Sequence, residues 1–319
     1  HKIRACCTNL RQGDAMRSIW KKTVLRAAAA LCAAAFALTC AGSAHAAGLR
    51  LSAKCAVLLD AKTGRALYEK DADRRALIAS TTKIMTGLLV CEQPDLDRAV
   101  TVPDCAVGVE GSSMYLKKGE QLTLRELLYG MMLHSGNDAA LALAVSVAGG
   151  EAAFVYQMNL RAQTLGLADT HFANPHGLDS GENYSTARDL ARLTQQALEN
   201  ETFRAVVSTK TIECAGRTLT NHNKLLWRYD GCIGVKTGYT QHAGRILVSA
   251  AERGGERLIA VTIADPDDWR DHAALLDYGF ATLARPTPAY PQIRRIQWKN
   301  ACKKYWPAVR TSPAAAPKC

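Results

Sequence analysis

The hydrophobic pattern of this chain changes period twice, and that change limits the fold more than any single residue does. Residues 54–60 (K-C-A-V-L-L-D) are an apolar run of strand length, residues 61–64 supply a turn, and residues 65–69 return as a second strand, which predicts a hairpin. From Ser80 the spacing becomes helical, with Ile84, Leu88 and Leu89 sharing a face. Thr123 and Glu126 form a capping-box pattern that opens a helix to about residue 133. Residues 134–137 break it, and Asp138 is placed to cap a second helix that ends at Gly149-Gly150. Residues 151–165 and 186–199 are helical as well. The period then returns to that of strands at 232–240, 245–251 and 257–264, the last two joined by an R-G-G-E turn, before a closing helix at 267–284. Two strands early and three late predict an α/β (α+β) fold. Its antiparallel five-stranded sheet is built from both chain ends, flanked by helices and interrupted by an inserted helical subdomain.

Charge divides the chain into three parts. The formal net charge of +11 comes from the ends, because residues 27–284 hold more acidic than basic side chains. A nucleic-acid-binding body would need a basic face to neutralise phosphates, so no nucleic-acid partner is expected. Residues 1–46 read as upstream sequence followed by a secretory signal: a basic stretch after Met16, an apolar stretch at 27–41, and small residues at Ala44 and Ala46. Fifteen apolar residues fall short of the roughly 20 that cross a bilayer. The body at 47–284 is therefore expected to be exported, to the extracellular or periplasmic side of the cytoplasmic membrane. Residues 285–319 form a Pro-containing basic tail with Trp298 and Trp306. Such residues suit peripheral membrane contact. However, the bases spread around a helical wheel, and a disordered basic tail is the preferred reading. Seven cysteines follow residue 46, an odd number. Cys91 with Cys105, or Cys214 with Cys232, are candidate disulfides in an exported chain, and buried free thiols are an equal reading. Neither C-x-x-C nor H-E-x-x-H occurs, so no metal and no cofactor are expected.

Three short motifs stand in order: Ser80-Thr81-Thr82-Lys83, Ser135-Gly136-Asn137 and Lys236-Thr237-Gly238. Each also has a weak look-alike or is weak alone. S-x-x-K recurs at 18–21 inside the signal, and K-T-G recurs at 62–64 in the first hairpin turn. Context separates them. Ser80 opens a helix and so shares a face with Lys83 at i+3. Ser135 sits in a break between helices, and Gly238 on a strand lets another backbone approach. A serine hydroxyl needs a base to become a nucleophile. With no Ser-His-Asp arrangement evident, Lys83 is the candidate, provided burial and a second cation such as Lys236 keep it uncharged.

This set resembles the active site of penicillin-binding proteins and serine β-lactamases. Within that group the chain resembles the low-molecular-mass serine D-alanyl-D-alanine carboxypeptidases of peptidase family S11, over about residues 55–284. The runs that carry the likeness are A-S-T-T-K-I-M-T (79–86), E-G-S-S-M-Y-L (110–116), N-P-H-G-L (174–178), Y-S-T-A-R-D-L-A (184–191) and V-K-T-G-Y-T-Q-H-A-G-R (235–245). The resemblance implies a DD-peptidase/β-lactamase-like fold and a catalytic domain at 47–284. It implies that Ser80 attacks the penultimate D-alanine of peptidoglycan stem peptides and that β-lactam inhibitors acylate it. Lys83, Ser135 and Asn137 would complete the catalytic set. Lys236, Thr237 and Gly238 would receive the substrate, and the N–H groups of Ser80 and Tyr239 would form the oxyanion hole. His222 stands where some relatives carry Arg, and would hold a carboxylate as a cation only when protonated. The middle motif is S-G-N, not the S-D-N of class A β-lactamases, and no E-x-x-L-N follows it. A class A-like β-lactamase is therefore the lesser enzyme reading, and a catalytically silent penicillin-binding sensor or wall-binding module is the non-enzyme alternative.

Overall fold

A computed structural model of the chain describes residues 49–284; the expected signal at 1–46 and basic tail at 285–319 lie outside the described residues. The first hairpin forms as β1 (Cys55–Asp60) and β2 (Ala66–Lys70). Every residue of β1 is buried, which is why that run is apolar from Cys55 through Leu59 rather than alternating. A short β3 (Ala76–Leu77) leads into a 3₁₀ turn, Ala79–Thr82, and then α1 (Lys83–Cys91). All nine residues of α1 are buried, so it is the central helix of the body. β4 (Ala99–Thr101) pairs with β5 (Gln121–Thr123), and the capping box of Thr123 and Glu126 opens α2 (Leu124–Leu133). Next come α3 (Asn137–Ala148), α4 (Glu151–Thr164), β6 (Tyr184–Ser185) and α5 (Ala187–Glu199), the last capped by Thr186.

Several elements escape the periodicity reading because they are short. These are α6 (Glu201–Ser208), the hairpin of β7 (Thr211–Cys214) and β8 (Arg217–Thr220), and α7 (Leu225–Arg228). A four-residue strand or helix shows too few repeats for its period to be read. β9 (Cys232–Thr240), β10 (Gly244–Arg253), β11 (Glu256–Ile263) and α8 (Asp268–Leu283) close the chain.

The sheet order is β2-β1-β11-β10-β9, antiparallel throughout. Cys55 stands opposite Ile263 and Asp60 opposite Leu258, so the first and last strands of the described residues meet in the middle of the sheet. One face packs on the helical body through α5, and the other packs on α8. At Gly279 of α8 an added Cβ would lie 2.7 Å from Leu58 and 2.6 Å from Leu258. β9 is left as the edge strand, free to present the K-T-G motif to the helical region.

One expectation needs correction. Asp138 does not cap α3, whose N-cap is Gly136. Its buried carboxylate instead accepts from the N–H groups of Met114 and Leu116 (both 3.1 Å) and the hydroxyl of Ser113 (2.6 Å). A charged acceptor inside the first helical turn meets the N–H groups of a neighbouring loop as readily as its own. Among the described residues Cys55, Cys91, Cys105, Cys214 and Cys232 are all free thiols. No single described helix is long and apolar enough to cross a membrane.

Candidate active site

Ser80 lies on the 3₁₀ turn before α1, whose preceding residue, Ala79, has φ +46°. Two glycines press on this turn. At Gly177 (φ +90°) an added Cβ would lie 1.9 Å from the Ala79 carbonyl oxygen. At Gly238 it would lie 3.3 Å from the Ser80 nitrogen and from the Ile78 oxygen. The Ser80 turn is thus held between the loop that carries N-P-H-G, where Gly177 admits no side chain, and strand β9, where Gly238 leaves little room for one.

Lys83 is fully buried, and its Nζ lies 3.0 Å from Ser80 Oγ, 2.7 Å from Asn137 Oδ1 and 2.6 Å from the His176 carbonyl oxygen. Asn137 donates from Nδ2 to the Glu110 carbonyl at 2.6 Å, which orients the amide so that its oxygen faces Lys83. Burial, and then the charge of Lys236, hold the Lys83 pKa well below the ordinary lysine value. A neutral amine has two N–H bonds and one lone pair. The Asn137 and His176 oxygens accept both N–H bonds, which leaves the lone pair for the Ser80 hydroxyl proton. This arrangement can remove a proton from Ser80.

Ser135 occupies the break between α2 and α3 with φ +61°, a left-handed conformation that aims its side chain into the cleft. Its hydroxyl accepts from Lys236 Nζ at 3.1 Å, and the same amine donates to the Thr237 carbonyl at 3.0 Å. Burial lowers the Lys236 pKa to about 7, so an anion entering beside it would restore its charge.

Ser80, Ser135, Thr237, Gly238, Tyr239 and His222 line one open cleft of about 330 Å³ together with Ser112, Lys224, Arg245, Asp268 and Trp269. The structure therefore brings the three motifs together. Both look-alike motifs stand apart: Lys62–Gly64 is in the hairpin turn between β1 and β2, and 18–21 lies outside the described residues. His222 is in the cleft, with its ring 5.5 Å from that of His134. Burial, Lys236 and His134 lower its pKa to about 4, so near pH 7 it offers an anion a hydrogen bond and no charge. Exposed Tyr239 presents its ring at the mouth.

The motif reading missed the groups that hold these side chains. The His176 carbonyl, Glu110, Ser112 and Asp138 are all supporting partners, with Ser112 O accepting from the Asn137 N–H at 2.7 Å. Their signal was present in the runs E-G-S-S-M-Y-L and N-P-H-G-L, but backbone acceptors leave no mark on residue type. Among the described residues no cluster of His, Cys, Asp or Glu could hold a metal ion.

Comparison with known proteins agrees with this geometry. The D-alanyl-D-alanine carboxypeptidase family profile (peptidase S11) matches residues 41–267. A D-alanyl-D-alanine carboxypeptidase of Streptomyces sp. (strain K15) is 42% identical over 244 residues, 69% of this chain and 84% of the relative. The D-alanyl-D-alanine carboxypeptidase DacF of Bacillus subtilis (strain 168) is 37% identical over 277 residues, 82% of this chain and 71% of the relative. The crystal structure of the Streptomyces K15 DD-transpeptidase superposes with a TM-score of 0.69 at 39% identity, covering 73% of this chain and 98% of that one. Fold, assembled motifs and sequence agree, and the chain belongs to the D-alanyl-D-alanine carboxypeptidase family, peptidase S11.

Proposed function

We propose that this protein is a serine-type D-Ala-D-Ala carboxypeptidase that removes the terminal D-alanine from peptidoglycan stem peptides through an acyl-enzyme on Ser80. The observation that carries the reading is the buried Lys83 amine, 3.0 Å from Ser80 Oγ with both N–H bonds engaged elsewhere. Lys83 takes the Ser80 proton as the oxygen attacks the carbonyl of the penultimate D-alanine. The N–H groups of Ser80 and Tyr239 receive the oxyanion. Lys236, Thr237 and the neutral ring of His222 hold the substrate's terminal carboxylate. When the C–N bond breaks, the proton that Lys83 took from Ser80 passes to the leaving amine through Ser135, whose hydroxyl is held by Lys236, and Lys83 is neutral again. Water then attacks the ester, again with Lys83 as base, releasing the shortened peptide and restoring the Ser80 hydroxyl.

The partners of Lys83 Nζ are a hydroxyl, an amide oxygen and a backbone carbonyl. Among the described residues Asp138 is turned toward the 113–116 loop and the cleft-lining Asp268 is bound to Arg245, so neither is placed as in a class A-like β-lactamase to activate a hydrolytic water. β-Lactams are therefore inhibitors in this reading, forming a lasting ester on Ser80. The protein works on the cell-wall side of the cytoplasmic membrane, delivered there by the signal at 1–46.

The test is D-alanine release from a peptide ending in D-Ala-D-Ala. The wild type should release it, and Ser80→Ala should lose at least about 10³-fold of the rate. No release by the wild type refutes the activity, and equal release by both refutes the nucleophile.

A further inference from the structure

The carbonyl of His176 reaches Lys83 from a loop that one side chain, Asn174, folds into place. Asn174 Oδ1 accepts from the backbone N–H groups of His176 at 3.3 Å and Gly177 at 2.6 Å, and its Nδ2 donates to the Leu178 carbonyl at 3.0 Å. The reversed amide would set an NH2 group against two N–H donors, so the network fixes its direction. The Gly177 N–H and the His176 carbonyl belong to one trans peptide group and point in opposite directions. Asn174 therefore holds that plane from one side, while Lys83 Nζ donates to it from the other at 2.6 Å. Thr86, three residues beyond Lys83 on the same face of α1, donates its hydroxyl to the Pro175 carbonyl at 2.6 Å. One helix face thus holds two successive carbonyls of the loop. Lys83, Thr86, Pro175, His176 and Gly177 are all buried, so a carbonyl that swung away would leave its partner without water to replace it.

A neutral Lys83 has one lone pair, whose direction follows from where its two N–H bonds go. Asn137 takes one and the His176 carbonyl takes the other. Rotation of the 176–177 peptide would free an N–H bond and let the lone pair turn from the Ser80 hydroxyl. We propose that Asn174 is a positioning residue for the general base: through the 176–177 peptide it holds the carbonyl that turns the Lys83 lone pair toward Ser80, with Thr86 bracing the same loop from α1. The inference rests on Lys83 as the base of the proposed reaction. Asn174 is not among the residues that line the cleft, so its effect falls on rate and not on substrate binding. Acylation and deacylation use the same base, so both slow together and KM stays in place.

The experiment measures kcat and KM for D-alanine release from a peptide ending in D-Ala-D-Ala, on the whole protein and with each variant at its own optimal pH. Rates are expressed per site that benzylpenicillin titrates to completion, which removes unfolded protein from the comparison. Asn174→Ala should lower kcat by at least about tenfold with KM within about twofold. Asn174→Asp keeps an acceptor for both N–H groups and should recover most of the rate. Thr86→Val, close in shape but without the hydroxyl, should lower kcat about fivefold, and Thr86→Ser should restore it. An Asn174→Ala kcat within twofold of the wild type overturns the positioning role. So does a loss that falls on KM instead, or an Asn174→Asp variant no faster than the alanine one. Should Asn174→Ala fail to fold, the Thr86 pair decides, and equal kcat for valine and serine overturns the role. A wild type that takes up penicillin but releases no D-alanine overturns the carboxypeptidase reading alone, and penicillin acylation rates then decide between the same variants. A wild type that does neither overturns both.

Discussion

The proposed mechanism requires two buried lysines in opposite charge states, and burial acts on both. Lys83 must be neutral to accept a proton, and burial and the neighbouring cation both shift it toward that form. Lys236 must be charged to hold a carboxylate, yet burial brings its pKa down to about 7 in the free enzyme. The kcat/KM for D-alanine release is therefore expected to fall above about pH 7 as Lys236 loses its proton, and to fall on the acid side as Lys83 gains one. In Lys236→Met the acid limb should move to higher pH, since a charge that depresses Lys83 is gone. Rates at low substrate across the pH range test this, and an unmoved acid limb would refute the coupling. The same burial has a stability signature. Between its folded value of about 7 and its ordinary value of 10.5, Lys236 is protonated in the unfolded chain and neutral in the folded one. Stability thus rises with pH across that window, and Lys236→Met lacks the contribution. The wild type should gain on the variant by up to about 1.4 kcal/mol per pH unit, measured by urea unfolding at several pH values.

At the scale of elements, the site is a meeting of loops that glycine and arginine allow to approach. Gly177→Ala would force a Cβ into the Ala79 carbonyl at a backbone angle that also disfavours alanine. It is expected to destabilise by about 2–4 kcal/mol and to slow penicillin acylation, read by denaturation and intact mass. A normal acylation rate would show that Ser80 does not depend on this contact. Farther out, Arg217 of β8 donates to the carbonyls of Met114 (2.8 Å) and Tyr115 (3.2 Å) and makes a fork to Glu120. It clasps from outside the loop that Asp138 holds from within, and that loop supplies the oxygens that orient Asn137. Arg217→Ala should lower kcat about tenfold, and Arg217→Lys should restore little because one ammonium cannot replace the fork. Turnover of folded protein with each variant checks this; full rescue by lysine would refute the clasp.

At the scale of the whole molecule, the sheet is complete only when its first and last strands are both present, because β1 pairs with β11. Such long-range pairing couples the fate of distant segments and is slow to form. α8 covers the outer face of the sheet, where Leu58, Leu258, Leu275 and Leu276 are all buried. Each buried leucine contributes roughly 2 kcal/mol, and four together rival the 5–15 kcal/mol that holds a typical domain folded. A chain ending at residue 266 is therefore expected to lose cooperative unfolding and penicillin labelling, as circular dichroism and mass spectrometry would report. Retention of both would show that the outer face needs no cover.

Strand and helix periods and the i+3 spacing of Ser80 and Lys83 were decided by local sequence, because each reflects contacts within a few residues of chain, and the order of the three motifs is read directly along it. The short elements between 201 and 228, the loop-tying role of Asp138 and the neutral state of His222 were not. They depend on which distant groups arrive beside them: the 112–116 loop beside Asp138, and Lys236 and His134 around His222. The sequence by itself determined which side chains make up the candidate site; tertiary packing alone decided their charge and aim. Desolvation and hydrogen-bond direction belong to neighbours in space, and the neighbours of Lys83 lie 54 and 93 residues away along the chain.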